Sequence, residues 1–192
     1  AEYGIPATFY CIAEDLALEG NATRLRALAD AGHEIGNHSL THPYNLSRMS
    51  DDEMADEVWL SRQHLSEAAG VDVLGFRAPG YTTNERLIQT VFAAGHRYDS
   101  SIFPCAPYYL AKASIMTAMR ALGRRSHSIL GSPRVLLSST EPYGMDPSCP
   151  YRPVPGGLLQ YPISVVGGLP LIGTAFSMLG PSLTRRLVRW GC

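Results

Sequence analysis

Short apolar runs alternate along this chain with helix-patterned segments, and a glycine closes each of those segments. Few architectures accept that rhythm. Ala7–Ile12 (ATFYCI) is an apolar, aromatic run of strand length. Residues 21–31 place Leu25, Leu28 and Ala29 at helical spacing, and Gly32 stops them. His33–Asn37 is a second short strand. Ser50-Asp51-Asp52-Glu53 matches a capping box, in which Ser and Glu satisfy each other's free amides. It predicts a helix to about Ala69, with Met54, Val58, Leu65 and Ala68 inward and Gly70 at its end. Val73–Arg77 is a third strand. Asn84 caps a helix through Ala94 that turns Leu87, Ile88, Val91 and Phe92 inward, and Gly95 stops it. Arg97–Ile102 is a fourth strand. Alternation of this kind implies parallel strands with helical crossovers, in an open α/β sheet or a (β/α) barrel. No G-x-G-x-x-G or Walker A follows any of the strands, which counts against a nucleotide-binding sheet.

After Pro104 the rhythm breaks. Residues 104–157 are rich in Pro, Tyr, Arg and Ser and read as a long insertion, with a helix near Ala113–Leu122 and a strand near Arg134–Ser138. Leu158–Val166 is again strand-like. Residues 153–184 carry no charged side chain. Pro155, Pro162, Pro170 and Pro181 interrupt every window long enough to span a membrane. The stretch reads as a buried strand and apolar loop, or as a surface that touches a lipid-linked substrate. Ser182–Trp190 reads as a helix carrying Arg185, Arg186 and Arg189.

The net charge of -1 conceals a division. Residues 1–100 hold 15 acids and 7 bases, whereas residues 101–192 hold 2 acids and 9 bases. The near-neutral sum argues against nucleic acid as the main partner. Cys11, Cys105, Cys149 and Cys192 show no CxxC spacing, which leaves zinc knuckles and thioredoxin motifs unsupported. Cys11 reads as a buried thiol, and a Cys105–Cys149 bridge stays open. Ala1–Pro6 shows no basic or apolar leader, so no signal peptide is visible and the compartment stays open between cytoplasm, periplasm and envelope.

Chemistry-bearing residues gather at strand ends. His38 and His42, four residues apart within Gly32–Pro43, project to one side over a single turn and suit one divalent cation. Ser39 and Thr41 are placed to orient them. Ordinary surface or core histidines share that spacing. Phe76-Arg77-Ala78-Pro79-Gly80-Tyr81 sets a fixed cation beside a tight turn whose amides can face a cavity, as an oxyanion hole requires. Alone, it also reads as a surface arginine before a Pro-Gly turn. Tyr98-Asp99-Ser100-Ser101 ends the fourth strand, where an Asp-Ser is often a simple cap. The coincidence of all three at strand C-termini outweighs any one of them, because barrel sites are assembled there.

With these motifs the sequence resembles the polysaccharide deacetylase family, the NodB-homology domain of carbohydrate esterase family 4. Tyr3–Tyr10 is similar to its second-strand entry, His38-Ser39-Leu40-Thr41-His42 to its H-[ST]-x-x-H motif, Phe76–Gly80 to its R-x-P motif and Tyr98–Ile102 to its next strand end. The likeness covers residues 1–103 well and is vague over 104–192. It implies a distorted (β/α) barrel and metal-dependent hydrolysis of an N-acetyl group on an amino sugar. It also implies a divalent metal, often zinc, on two histidines and an aspartate, a second aspartate as general base, and a later histidine that protonates the leaving amine. Carried over, His38 and His42 are ligands, Arg77 orients the base, Gly80 supplies an oxyanion amide and Asp99 supports the site. Pro79 and Tyr81 contact substrate. The family's T-F-D-D motif would precede Tyr3, and its L-x-H motif has no counterpart; neither His96 nor His127 sits in one. The resemblance therefore implies a single partial catalytic domain over 1–192, trimmed at both ends, whose third metal ligand lies upstream of residue 1 and whose activity is impaired. Two alternatives stand beside it: a non-catalytic carbohydrate-binding or structural homologue, and a deacylase or deformylase of a lipid-linked sugar. The oligomeric state is not implied.

Overall fold

The structure is a computed structural model that describes residues 4–124 and 129–170, together with Gly180, Ser182 and Arg186. Strands β1 (Thr8–Cys11), β2 (Glu34–Asn37), β3 (Gly75–Phe76) and β4 (Tyr98–Asp99) run parallel in that order. Helices α1 (Asn21–Asp30), α2 (Asp51–Ala69) and α3 (Glu85–Ala93) make the crossovers between them. Helix α4 (Ala106–Ala121) follows β4, and then come β5 (Tyr143–Asp146), β6 (Cys149–Pro153) and β7 (Leu158–Gln160). Strand β7 joins β4 in parallel, while β5 and β6 extend the sheet antiparallel, in the order β1-β2-β3-β4-β7-β5-β6. A small hairpin of β8 (Val165–Val166) and β9 (Leu169–Pro170) stands apart. The α/β class with parallel strands and helical crossovers is the one the sequence implies. Among the described strands the sheet runs from β1 at one edge to β6 at the other.

The helices form where their local chemistry asks for them. Ser50 Oγ accepts the Glu53 amide and the Glu53 carboxylate accepts the Ser50 amide, so the capping box closes at the start of α2. Gly70 ends α2 with a φ of 66°, a conformation that costs any residue with a Cβ about 1–2 kcal/mol. Asn84 caps α3 by accepting the Leu87 amide. Helices α2 and α3 lay Met54, Val58, Leu87, Ile88 and Val91 on Phe76 of the sheet and on Tyr143, Met145 and Leu158 beyond it. A second cluster joins Leu25, Ile35, Leu65 and Val73 under α1. Each such side chain contributes about 1.5–3 kcal/mol on burial. The other face of the sheet carries rings. Gly36 lies flush with Tyr10, where a Cβ would stand 2.6 Å from the ring, and Gly75 makes the same room for Tyr98.

Several elements differ from the sequence reading. Phe92 is half exposed, because Leu87, Ile88 and Val91 already fill the face that α3 presents. The segment expected as a strand at Arg134–Ser138 is a 3-10 turn over Pro133–Leu137, started by a proline and by Ser132 accepting the Arg134 amide. Helix α4 begins seven residues earlier than its apolar pattern suggests, with Pro107 in its first turn where no amide partner is needed. The run Leu158–Val166 breaks before Pro162 into β7 and the β8 hairpin. Hairpin β5–β6 went unseen, since its prolines and irregular register hide a strand pattern. Cys11, Cys105 and Cys149 are free thiols, so no Cys105–Cys149 bridge forms, and Cys11 is only half buried. The basic segment 182–190 lies outside the described residues apart from Ser182 and Arg186, as do His127 and Cys192. Among the described residues no helix is long and apolar enough to cross a membrane.

His96 is buried where β4 begins. Its Nδ1 lies 3.2 Å from the Val91 carbonyl and its Nε2 lies 3.2 Å from Asn37 Nδ2, an arrangement that suits the neutral ring. Burial lowers its pKa from 6.5 to about 4. A basic group depressed in this way contributes stability above pH 6.5 that is lost as pH falls toward 4. His96→Gln can keep both hydrogen bonds without titrating. Relative to the parent chain, the variant gains roughly 2–3 kcal/mol between pH 7 and pH 4.5, read from urea unfolding at both pH values.

Candidate active site

The site is built at the C-terminal ends of β1, β2 and β3. Beyond β2 the His38 amide donates to the Cys11 carbonyl, and the Arg77 amide donates to the Asn37 carbonyl, which locks the three strand ends in step. The chain then turns sharply, with Ser39 at φ 73° and His42 at φ 60°. Tyr81, at φ 56°, is the third non-glycine residue with positive φ among the described residues. All three belong to this cluster. Left-handed backbone of this kind costs about 1–3 kcal/mol per residue and persists only where surrounding contacts impose it.

Those contacts come from the sheet and from α2. Asn37 is fully buried. Its Oδ1 accepts the Ser39 amide at 2.8 Å and the Ser61 hydroxyl at 2.8 Å, while its Nδ2 donates to the Val58 carbonyl at 2.9 Å. Glu57, also buried, accepts the Leu40 amide at 2.9 Å, the Thr41 amide at 3.0 Å and the Thr41 hydroxyl. Ser39 Oγ accepts the His42 amide at 2.9 Å. Ser39 therefore braces a ligand candidate as expected, whereas Thr41 is turned toward Glu57.

The loop so held brings His38 and His42 together, with ring centroids 4.8 Å apart at 62°. His38 Nδ1 sits 2.6 Å from the Arg77 carbonyl, which leaves Nε2 for a ligand and fixes the ring, as metal-binding histidines commonly require. Burial lowers the His38 pKa, and so favours the neutral ring that binds a cation. Arg77 stacks 4.1 Å above the Tyr10 ring. It donates through Nε to the Ser100 carbonyl at 3.0 Å and through its terminal nitrogen to Ser100 Oγ at 2.6 Å. Gly80, at φ 62°, lies against Tyr44, whose ring a Cβ would meet at 2.9 Å.

His38, His42, Arg77, Gly80 and Tyr81 line one cleft of about 1070 Å³. Pro79 is buried and lies outside that lining. Asp99, expected to support the site from the fourth strand, stands one residue removed from it. It is fully buried on the opposite face of β4 and accepts the Ser101 amide and hydroxyl. Ser101 Oγ in turn accepts the Ala78 amide at 2.8 Å, so Asp99 reaches the Pro-Gly turn through an intermediary, and Ser100 is the residue that meets Arg77. Burial raises the Asp99 pKa to about 6 against the pull of those hydrogen bonds. Of the described part of the charge-free stretch, Tyr161, Pro162, Ser164, Val165 and Val166 line an adjoining, more polar recess with Glu34 and Tyr98.

The donor set fits a divalent cation in kind. Two imidazoles stand side by side, one of them oriented by a carbonyl. It falls short in number, because among the described residues no three His, Cys, Asp or Glu side chains are grouped to hold a metal ion. No carboxylate lines the described cleft.

The family model for polysaccharide deacetylase matches residues 1–98, which is half of the chain and contains the histidine loop and the Arg77 turn. This chain belongs to the polysaccharide deacetylase family. A chitooligosaccharide deacetylase of Rhizobium leguminosarum bv. phaseoli is 33% identical over 106 residues, covering 54% of this chain and 45% of that protein. A peptidoglycan-N-acetylglucosamine deacetylase of Bacillus cereus is 30% identical over 96 residues, covering 50% of this chain and 43% of the relative. The chain thus spans less than half the length of these curated relatives. A crystal structure of a Mycobacterium smegmatis protein described as a polysaccharide deacetylase shares the fold, with a TM-score of 0.52, 22% identity and coverage of 85% of this chain and 42% of its own.

Sequence reasoning missed Glu57, Asn37 and Ser100. A signal for Glu57 and Ser61 was present: both stand in the stripe Met54, Glu57, Val58, Ser61, Leu65 that α2 buries, and a polar group on such a stripe needs a partner. Glu57→Gln turns an acceptor of three donors into a group with one donor end. It is expected to cost about 2–3 kcal/mol by urea unfolding and to shift the His38 and His42 ring resonances. Glu57→Gln with full stability and unmoved resonances would show that the carboxylate does not hold the loop.

Proposed function

We propose that this chain forms part of a single catalytic domain that hydrolyses the N-acetyl group of an amino-sugar polymer or glycoconjugate. The observation that carries this reading is the His38–His42 pair, held edge to face with His38 fixed on the Arg77 carbonyl. His38 and His42 would hold a divalent metal, zinc being the expected one. Bound there, such a cation would polarise the amide carbonyl and make water more acidic.

The chain's own residues prepare the rest. Arg77 cannot swing away, because Tyr10 stacks on it and Ser100 accepts from two of its nitrogens. It keeps a positive charge at the rim of the cleft, where it would orient an anionic base or an anionic part of substrate. Gly80 brings backbone to the cleft wall where a side chain would collide with Tyr44, so its amide is the candidate donor for the developing oxyanion. Tyr81 offers its ring to the sugar. Asp99 and Ser101 keep the Pro79-Gly80 turn in place and act through it. A general base is not supplied by the described residues, and the third metal ligand is not either, so hydrolysis by this chain alone is expected to be slow.

That same shortage favours a second reading, a homologue that binds carbohydrate without cleaving it. One experiment separates the two. The purified chain, loaded with zinc or cobalt, is incubated with chitopentaose while released acetate and sugar binding are both measured. Slow acetate release that disappears in His38→Ala and His42→Ala supports hydrolysis. Sugar binding without acetate supports the non-catalytic homologue. Acetate release that survives loss of both histidines would contradict the proposed site.

A further inference from the structure

A small cavity of about 30 Å³ shares a wall with the histidine cleft. A single water needs roughly 10–15 Å³, so the space takes one or two waters or one small ion, and no sugar. Gly80, Tyr81, Tyr108 and Lys112 line both this cavity and the cleft, and so form the wall between them. Thr82, Thr83, Tyr109, Gly131 and Tyr151 line the cavity and not the cleft.

The acceptors of this lining are already engaged. The Gly80 carbonyl accepts Lys112 Nζ at 3.3 Å and the Thr82 hydroxyl at 3.3 Å. The Gly131 carbonyl accepts the Tyr109 hydroxyl, and the Thr83 carbonyl accepts the Tyr151 hydroxyl, each at 3.0 Å. Donors are left over. Thr83 is only 6% exposed, and its hydroxyl is buried with no hydrogen-bond partner among the described residues. A hydroxyl in that state is destabilising until something meets it. Lys112, the only lysine in the chain, spends one of its three N–H donors on Gly80, and its Nζ stands 6.0 Å from the centre of the Tyr108 ring. No carboxylate lines the cavity, and none pairs with Lys112 among the described residues. Burial lowers the Lys112 pKa, because the ammonium has lost water without gaining an opposite charge. A water could accept from these donors, but it would bring two protons of its own to carbonyls that are taken. An anion only accepts, and it carries the charge that the buried ammonium lacks.

We propose that this cavity binds one small monovalent anion of halide size, held by Lys112 Nζ and the Thr83 hydroxyl. Helix α4 buries none of its residues, so it has little apolar packing of its own to hold it in place. The ion ties α4, through Lys112, to the residues that follow the Pro79-Gly80 turn. The site takes neither the metal nor the sugar of the cleft, and the proposal stands apart from how the cleft is used.

The test uses chloride and bromide as probes on the full chain, with sodium gluconate holding the ionic strength constant. The chloride-35 line width is expected to rise above that of buffer, to saturate with chloride and to fall back when bromide is added. Lys112→Met and Thr83→Val should each weaken this binding at least about tenfold, whereas Lys112→Arg should keep most of it. Urea unfolding gives an independent readout. Chloride should raise the midpoint of the parent chain saturably and leave the midpoints of Lys112→Met and Thr83→Val unmoved. In gluconate alone Thr83→Val should be at least as stable as the parent, since it deletes an unpartnered hydroxyl and keeps the shape. Absence of chloride broadening overturns the proposal, as does broadening that survives in either Lys112→Met or Thr83→Val, which places the anion elsewhere. Thr83→Val that is less stable than the parent by the same amount in both salts also overturns it, by showing that water meets the hydroxyl.

Discussion

Asn37 is the side chain on which the site depends. It stands at the last position of β2, fully buried, and uses its whole amide. The oxygen accepts from Ser39 and Ser61, and the nitrogen meets the Val58 carbonyl and the His96 ring. One residue therefore ties the strand end to α2, to the start of β4 and to the first residue of the histidine loop. A buried amide with all its partners specifies geometry far more sharply than an apolar side chain of equal size, because each lost partner leaves an unpaired polar group in a dry interior.

From that anchor the strained loop becomes affordable. Ser39 and His42 adopt left-handed backbone that neither would choose alone, and Glu57 clamps the intervening amides from α2. The same economy governs the neighbouring strand. Arg77 spends its main chain on the loop, its carbonyl on His38 and its amide on Asn37, and its side chain on Ser100 and Tyr10. The histidine pair and the cation are thus positioned by one continuous set of hydrogen bonds between β2, β3 and β4, and not by three independent loops.

The first half of the fold was legible because its signals are local. Caps at Ser50 and Asn84 and stops at Gly70 mark helix ends through backbone chemistry that needs no distant partner. The motifs at His38, Arg77 and Gly80 were legible for the same reason, and they do share one cleft. Asp99 shows where such reading ends. Adjacent strand residues face opposite sides of a sheet, and only the pairing register decides that Ser100, not Asp99, meets Arg77. The β5–β6 hairpin and the 3-10 turn at Pro133–Leu137 were hidden because proline-rich segments are set by tertiary contacts more than by periodicity. Glu57 was hidden in plain view, a carboxylate on a buried stripe whose partners lie sixteen and seventeen residues away.

The central claim is that His38 and His42 act as a pair of ligands, with the His38 Nδ1 committed to the Arg77 carbonyl. Long-range nitrogen–proton spectra of the imidazoles, recorded with and without zinc, address this directly. The account predicts that zinc shifts one nitrogen in each of these two rings together, that His38 Nδ1 keeps its proton, and that the buried His96 is unmoved. Zinc that shifts other histidines instead, that binds through His38 Nδ1, or that leaves both rings unchanged would contradict it.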